Sequence, residues 1–208
     1  FGLPRDAGPE AVLSITPPGA RAAETRRLAV APREWDVQRI SGLPGRQVTP
    51  EAADLARIRA EQERLNAARA RETPEALFAG GFDWPARGRI SGRWGAQRIL
   101  NGQPRAPHLG LDIAAPTGTP VATMAPGRVV LAADLYFTGL TVVVEHGLGV
   151  SSLYAHLSRI DVRENEAVAR GGAIGAVGST GRSTGPHLHL GMFWRGVPVD
   201  PGSVLSPA

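Results

Sequence analysis

The chain has 208 residues, 42% hydrophobic and 20% charged, enough for one domain of ordinary size or a compact domain with a smaller companion. It contains no Cys, which excludes thiolate metal sites and thiol nucleophiles, and no apolar run approaches the length that crosses a bilayer. The net charge of +4 has only arginine on its basic side; it suits an anionic polymer, but no basic run interleaves with aromatics as in single-strand nucleic-acid binders.

The content of 26 Gly and 18 Pro implies many turns and favours short strands over long helices. Residues 1–48 read as an N-terminal β segment: Ala11–Ile15, Arg27–Ala31 and Trp35–Ile40 alternate or carry β-branched residues between turns. Too few strands are present there to bury a core, so the segment is either a truncated β module or one completed by packing on the rest. The chain begins at Phe1, and the expectation is a mature or cut product whose export signal lay upstream.

Residues 49–73 read as one connecting helix. Thr49 is placed to cap it, Pro50 to occupy the first turn and Glu51 to complement the dipole, with Thr73-Pro74 ending it. Leu55, Ile58, Gln62 and Leu65 mark its expected buried face. A connector packed along the main domain is one reading, and a docking helix for a partner is the other. From residue 74 to 208 short strands alternate with Gly and Pro: Pro120-Val121, Gly127–Leu131, Thr141–Glu145 and Ala173–Val177. This texture predicts an antiparallel β fold. A faint internal echo joins Pro120-Val121 and Gly127 to Ala167-Val168 and Gly171-Gly172.

Four of the five histidines fall in three short motifs: His108-Leu-Gly-Leu-Asp112, Tyr154-Ala-His156-Leu157 and Gly185-Pro186-His187-Leu188-His189. Three imidazole and carboxylate ligands with one open position are what a catalytic zinc needs, and two histidines beyond the ligands could handle protons. On strands, His108 and Asp112 would share a face, as would His187 and His189, with Leu188 turned inward.

The segment from about Arg93 to Pro201 resembles the lysostaphin/LytM family of zinc endopeptidases. Arg105–Val121 carries the first motif, Ser152–Ser158 the middle one and Gly178–His189 the last. The resemblance implies a mainly β LytM-type catalytic domain, of duplicated hybrid motif kind, acting on peptide crosslinks of bacterial peptidoglycan. It implies one zinc ion held by His108, Asp112 and His189, with His156 and His187 as catalytic histidines. Asn101-Gly102-Gln103 stands where members cutting glycine bridges tend to carry Tyr, which points to D-Ala–diaminopimelate crosslinks instead. The further expectations are an exported, periplasmic monomer that neither spans the membrane nor binds nucleic acid. The alternative is a non-catalytic LytM-like module that activates another hydrolase, and a third reading has residues 1–73 covering the groove.

Asn101, Tyr154, Ser183 and Thr184 are candidate substrate-side residues; Tyr154 would share a strand face with His156, and its first reading is packing or hydrogen bonding that orients the site, with direct contact the other option. Ser183 and Thr184 read as loop-shaping rather than nucleophilic. Trp94 could line the groove or pack in the core, and His146 reads as a turn or structural residue, with substrate contact the other option.

Overall fold

A computed structural model describes residues 2–205. Three strands and two helices come first: β1 (Glu10–Ile15), β2 (Glu24–Ala29), β3 (Val37–Ile40), α1 (Gly45–Val48) and α2 (Ala52–Arg69). The next group is β4 (Arg89–Gly92), β5 (Gln97–Leu100), β6 (Gln103–Pro104), β7 (Leu111–Ala114), β8 (Pro120–Ala122) and β9 (Gly127–Leu135). The last is β10 (Gly139–Gly147), β11 (Val150–Ile160), β12 (Ala167–Val168), β13 (Ala173–Val177), β14 (His187–Trp194) and β15 (Val197–Val199). The architecture is mainly β, and no helix among the described residues is long and apolar enough to cross a membrane.

Among the described residues ten strands build the main sheet, whose spine runs β12-β9-β10-β11-β14-β7-β4 with all neighbours antiparallel. β10 shows why the sheet has two cores. Its run Thr141-Val-Val-Val-Glu145 alternates across the pleat, so Val142 and Val144 enter one apolar cluster and Val143 the opposite one. The first cluster packs against Ile113, Val121, Ile174 and Leu188; the second is covered by Leu65 and Ala68 of α2.

The internal echo is visible as crossed pairing. β8 pairs with β13, and β12 pairs with β9, so the two similar segments are each joined to a strand beside the other.

Helix α2 corrects two details of its sequence reading. Its N-cap is Glu51, no side chain caps it, and Thr49 lies beside Gln103 and Arg105 instead. The buried positions are Asp54, Leu65 and Ala68, while Leu55 is 43% exposed. The buried face starts at Asp54 rather than Leu55, because polar partners satisfy the Asp54 carboxylate there. Arg46 donates twice to Asp54 at 2.6 Å, and Tyr136 Oη donates to the same carboxylate at 3.0 Å.

The first residues split into two parts. β1 and β2 form an exposed ribbon. β3 runs parallel to β5 in a second sheet of order β3-β5-β6, and Asn101 fastens this edge by accepting from Leu43 N and donating to Leu43 O at 2.7 Å.

Candidate metal centre and catalytic cleft

Strand β14 is the backbone of the site. Leu188 and Leu190 point into the core, so His187 and His189 share the opposite face by simple alternation. In the neighbouring β7, Asp112 sits directly across from His189. His108 is not on that strand, contrary to the same-face expectation; it lies three residues before β7. Its backbone is pinned to the loop after β4, His108 N donating to Ala96 O at 2.8 Å and Gly95 N to His108 O at 2.7 Å. Gly110 makes the return possible: a Cβ there would stand 2.7 Å from His189 Nε2 and from Leu190 O.

The three side chains converge. His108 Nε2 lies 3.0 Å from His189 Nδ1 and 2.9 Å from Asp112 Oδ1, and His189 Nδ1 lies 2.8 Å from that same oxygen. A tetrahedral zinc with ligand bonds of about 2.0–2.1 Å spaces its donors about 3.3 Å apart, a few tenths of an ångström wider. Two imidazoles and a carboxylate are also the borderline donor set that zinc takes. His108, Asp112 and His189 can therefore hold a metal ion.

Partners outside the triad set its tautomers. His108 Nδ1 faces Arg93 O at 3.0 Å, and a carbonyl can only accept, so Nδ1 carries the proton and Nε2 keeps its lone pair. Asp112 Oδ2 accepts from Arg98 Nη2 at 2.9 Å. Burial alone would raise the Asp112 pKa; the close approach of the His108 and His189 rings, which attract the charged carboxylate whenever they carry a proton, outweighs it and holds the carboxyl well below the usual range. Burial pushes His189 down to about 4 against the pull of Asp112, so at neutral pH it is a neutral ligand.

His156 and His187 stand beside the triad with ring centroids 4.8 Å apart, and His156 lies 5.9 Å from the His189 ring. His156 Nδ1 donates to Thr180 O and His187 Nδ1 to Gly185 O, both at 2.8 Å, which leaves the lone pair of each ring on Nε2. His187 Nε2 is 3.8 Å from Asp112 Oδ1. Burial, then repulsion from His189 and His187, pushes His156 down to about 3.

The candidate substrate-side residues divide. Ser183 and Thr184 line a cleft of about 260 Å³ together with His156, His187 and Asp112. Tyr154 does not. His156 has φ +61°, a bulge that breaks the alternation of β11, so Tyr154 and Leu157 both enter the core. The Tyr154 hydroxyl accepts from Met124 N at 2.8 Å and shares a hydrogen bond of the same length with Ser152. Asn101 is likewise outside the cleft, occupied with Leu43. Trp94 is a core residue stacked edge-on against Trp35. His146 is buried, its Nδ1 donating to Pro126 O and its Nε2 bonded to Ser152 Oγ, both at 2.7 Å.

Several cleft residues escaped the sequence reading, Arg182 among them. Gln38, Ile40 and Leu43 form one wall, and Arg98 reaches the metal cluster itself. An arginine in the run Gln97-Arg-Ile-Leu100 carries no spacing signal, and the wall depends on the parallel pairing of β3 with β5. A larger apolar hollow of about 930 Å³, between residues 2–9 and Trp94, Trp194 and Val199, has none of the five histidines in its lining.

Known proteins align with this geometry. The sequence profile described as Peptidase family M23 matches residues 106–201. The peptidoglycan DD-endopeptidase ShyA of Vibrio cholerae is 44% identical over 113 residues, covering 54% of this chain and 26% of that protein. The DD-carboxypeptidase/endopeptidase Mpg of Neisseria meningitidis is 48% identical over 100 residues, covering 48% of this chain and 23% of that one. The chain thus spans about a quarter of the length of these curated relatives. A crystal structure from Pseudomonas aeruginosa, described as a candidate M23 peptidase, superposes with TM-score 0.76 and 34% identity, covering 97% of this chain and 76% of that one. A zinc-containing peptidase from Vibrio cholerae gives TM-score 0.55 at 34% identity, covering 58% and 39%. With the sheet, the His-Asp-His cluster and these similarities together, the chain belongs to peptidase family M23.

Proposed function

We propose that this protein is a zinc-dependent endopeptidase that hydrolyses peptide crosslinks of peptidoglycan, at D-Ala–diaminopimelate bonds, in the periplasm. The observation that carries the reading is the coexistence of a complete donor triad with two further imidazoles whose Nδ1 protons are engaged by backbone carbonyls. Similarity to proteins named for DD-endopeptidase activity supports the substrate class. His108, Asp112 and His189 hold the ion in this reading.

When bound, zinc lowers the pKa of a coordinated water toward 7 and polarises a carbonyl. The protein's own groups supply the rest. His156 and His187 flank the triad, one taking a proton from the attacking water and the other holding or returning a proton at the leaving nitrogen. Burial keeps His156 neutral, so its Nε2 presents a lone pair at physiological pH. Arg98 fixes Asp112 by Oδ2 and leaves Oδ1 facing both ligand histidines. Thr180 O and Gly185 O lock the two flanking rings.

The alternative, a non-catalytic module that activates another hydrolase, is raised by 37% identity over 123 residues to a lipoprotein NlpD/LppB homolog of Pseudomonas aeruginosa. Incubation of zinc-loaded protein with crosslinked muropeptides, read by mass spectrometry, separates the two. Conversion of dimers to monomers that stops with a chelator and returns with zinc is expected. Intact dimers in the presence of stoichiometric bound zinc would overturn the peptidase reading.

A further inference from the structure

The cleft beside the histidines carries a positive charge that the metal chemistry does not use. Arg182 lies in the loop leading to β14 and lines the cleft with His156 and His187. Among the described residues it has no carboxylate partner; its Nη1 donates to Gln47 O at 3.3 Å, and its guanidinium rests 4.5 Å from the centroid of Phe137. Its backbone N donates to Phe137 O at 2.8 Å, so both ends of the side chain are held. Five N–H donors on a half-buried guanidinium leave most of its fork uncommitted. Among the described residues the one acid lining the cleft, Asp112, is engaged by Arg98 at Oδ2 and by His108 and His189 at Oδ1. Burial, with repulsion from Arg98 and Arg105, lowers Arg182 to about 10, which still leaves it charged at neutral pH.

A preorganised, uncompensated guanidinium beside a hydrolytic centre is suited to a carboxylate, which it can grip by two parallel bonds. The proposed substrate offers one at the right place. In a D-Ala–diaminopimelate crosslink the carbon that bears the leaving amine also bears a free carboxylate, and a terminal D-Ala-D-Ala bond has the same arrangement. A glycine bridge has no charge there.

We propose that Arg182 is a specificity-determining residue that binds the carboxylate adjacent to the scissile amide, so the cleft selects peptides ending or crosslinked through such a group. This rests on the peptidase reading for its substrate, but the carboxylate preference is measurable without turnover. The experiment compares the full protein with Arg182→Gln and Arg182→Lys on two pairs of ligands. One pair is a crosslinked muropeptide dimer with the diaminopimelate carboxylate at the crosslink free or amidated. The other is a stem pentapeptide with its terminal D-Ala carboxylate free or amidated. Rates and calorimetric binding are both recorded, with zinc content and melting temperature as controls on folding.

Wild type is expected to favour the free form of at least one pair by 10–100-fold, mostly in KM or Kd. Arg182→Gln abolishes that preference with zinc content unchanged, and Arg182→Lys keeps part of it. Preference in the dimer pair alone assigns the crosslink carboxylate, and in the pentapeptide pair alone the terminal one. A wild type that discriminates no more than Arg182→Gln, or a variant weakened equally toward free and amidated ligands, overturns the proposal. If zinc-loaded wild type cuts neither pair, the peptidase reading fails, while the binding preferences still decide the role of Arg182.

Discussion

Asp112 has two oxygens with different duties. Oδ1 meets both ligand histidines and Oδ2 meets Arg98, so the arginine sets which way the carboxylate presents itself. Substituting Arg98 by Met is expected to weaken zinc affinity about 10–100-fold without removing a ligand, the usual cost of losing an outer-shell partner. Competitive chelator titration reads this directly, and Arg98→Lys should restore part of the loss. His108→Ala or His189→Ala should lose the metal and activity together. His156→Ala and His187→Ala should keep one zinc per chain and lose turnover by about 10²–10⁴-fold, the contribution general acid–base groups make. Metal analysis of the purified variants beside a cleavage assay separates the two groups. A fully active His187→Ala protein would remove that residue from the chemistry.

At the scale of elements, strand parity explains both what was legible in the sequence and what was not. The H-x-H pair could be placed on one face from alternation alone, because β14 is regular through Leu188 and Leu190. The same rule failed for the face Tyr154 was to share with His156, since the positive φ of His156 inserts a bulge that spacing does not announce. The helix stripe failed at Leu55 because the buried face of a regular helix, followed back from Ala68 and Leu65, reaches Asp54, whose carboxylate Arg46 and Tyr136 satisfy. Leu65 and Leu55, assigned to one face by periodicity, should therefore separate on truncation. Leu65→Ala is expected to cost about 2–4 kcal/mol and Leu55→Ala under about 0.5 kcal/mol, measured by denaturant unfolding. Equal costs would restore the sequence-based stripe. The ten-strand sheet was foreseen as a class, while its crossed β8–β13 and β12–β9 pairing was visible only as an echo of similar residues.

Across the whole molecule, stability should depend on pH through imidazoles that the fold keeps neutral. Burial, partly offset by the Pro126 carbonyl, pushes His146 down to about 4 from an ordinary value of 6.5. Above 6.5 both folded and unfolded chains hold it neutral. As pH falls from 6.5 toward 4 the unfolded chain takes up the proton first, so stability declines across that window, by about 3 kcal/mol for this residue, and no further below it. His146→Gln should flatten the melting temperature between pH 6.5 and 4 relative to wild type, even if it starts lower at pH 7 from altered hydrogen bonds with Pro126 and Ser152. An undiminished slope in this variant would shift the acid sensitivity to other groups.

The joining of distant segments around one ion is tested most directly by anomalous diffraction at the zinc edge from crystals of the zinc-loaded protein. The account predicts a single peak bonded to His108 Nε2, Asp112 Oδ1 and His189 Nδ1, with the Nε2 atoms of His156 and His187 facing it and unbonded. A peak ligated by His156 or His187 in place of any of those three, or no peak at this cluster with zinc in excess, would contradict it.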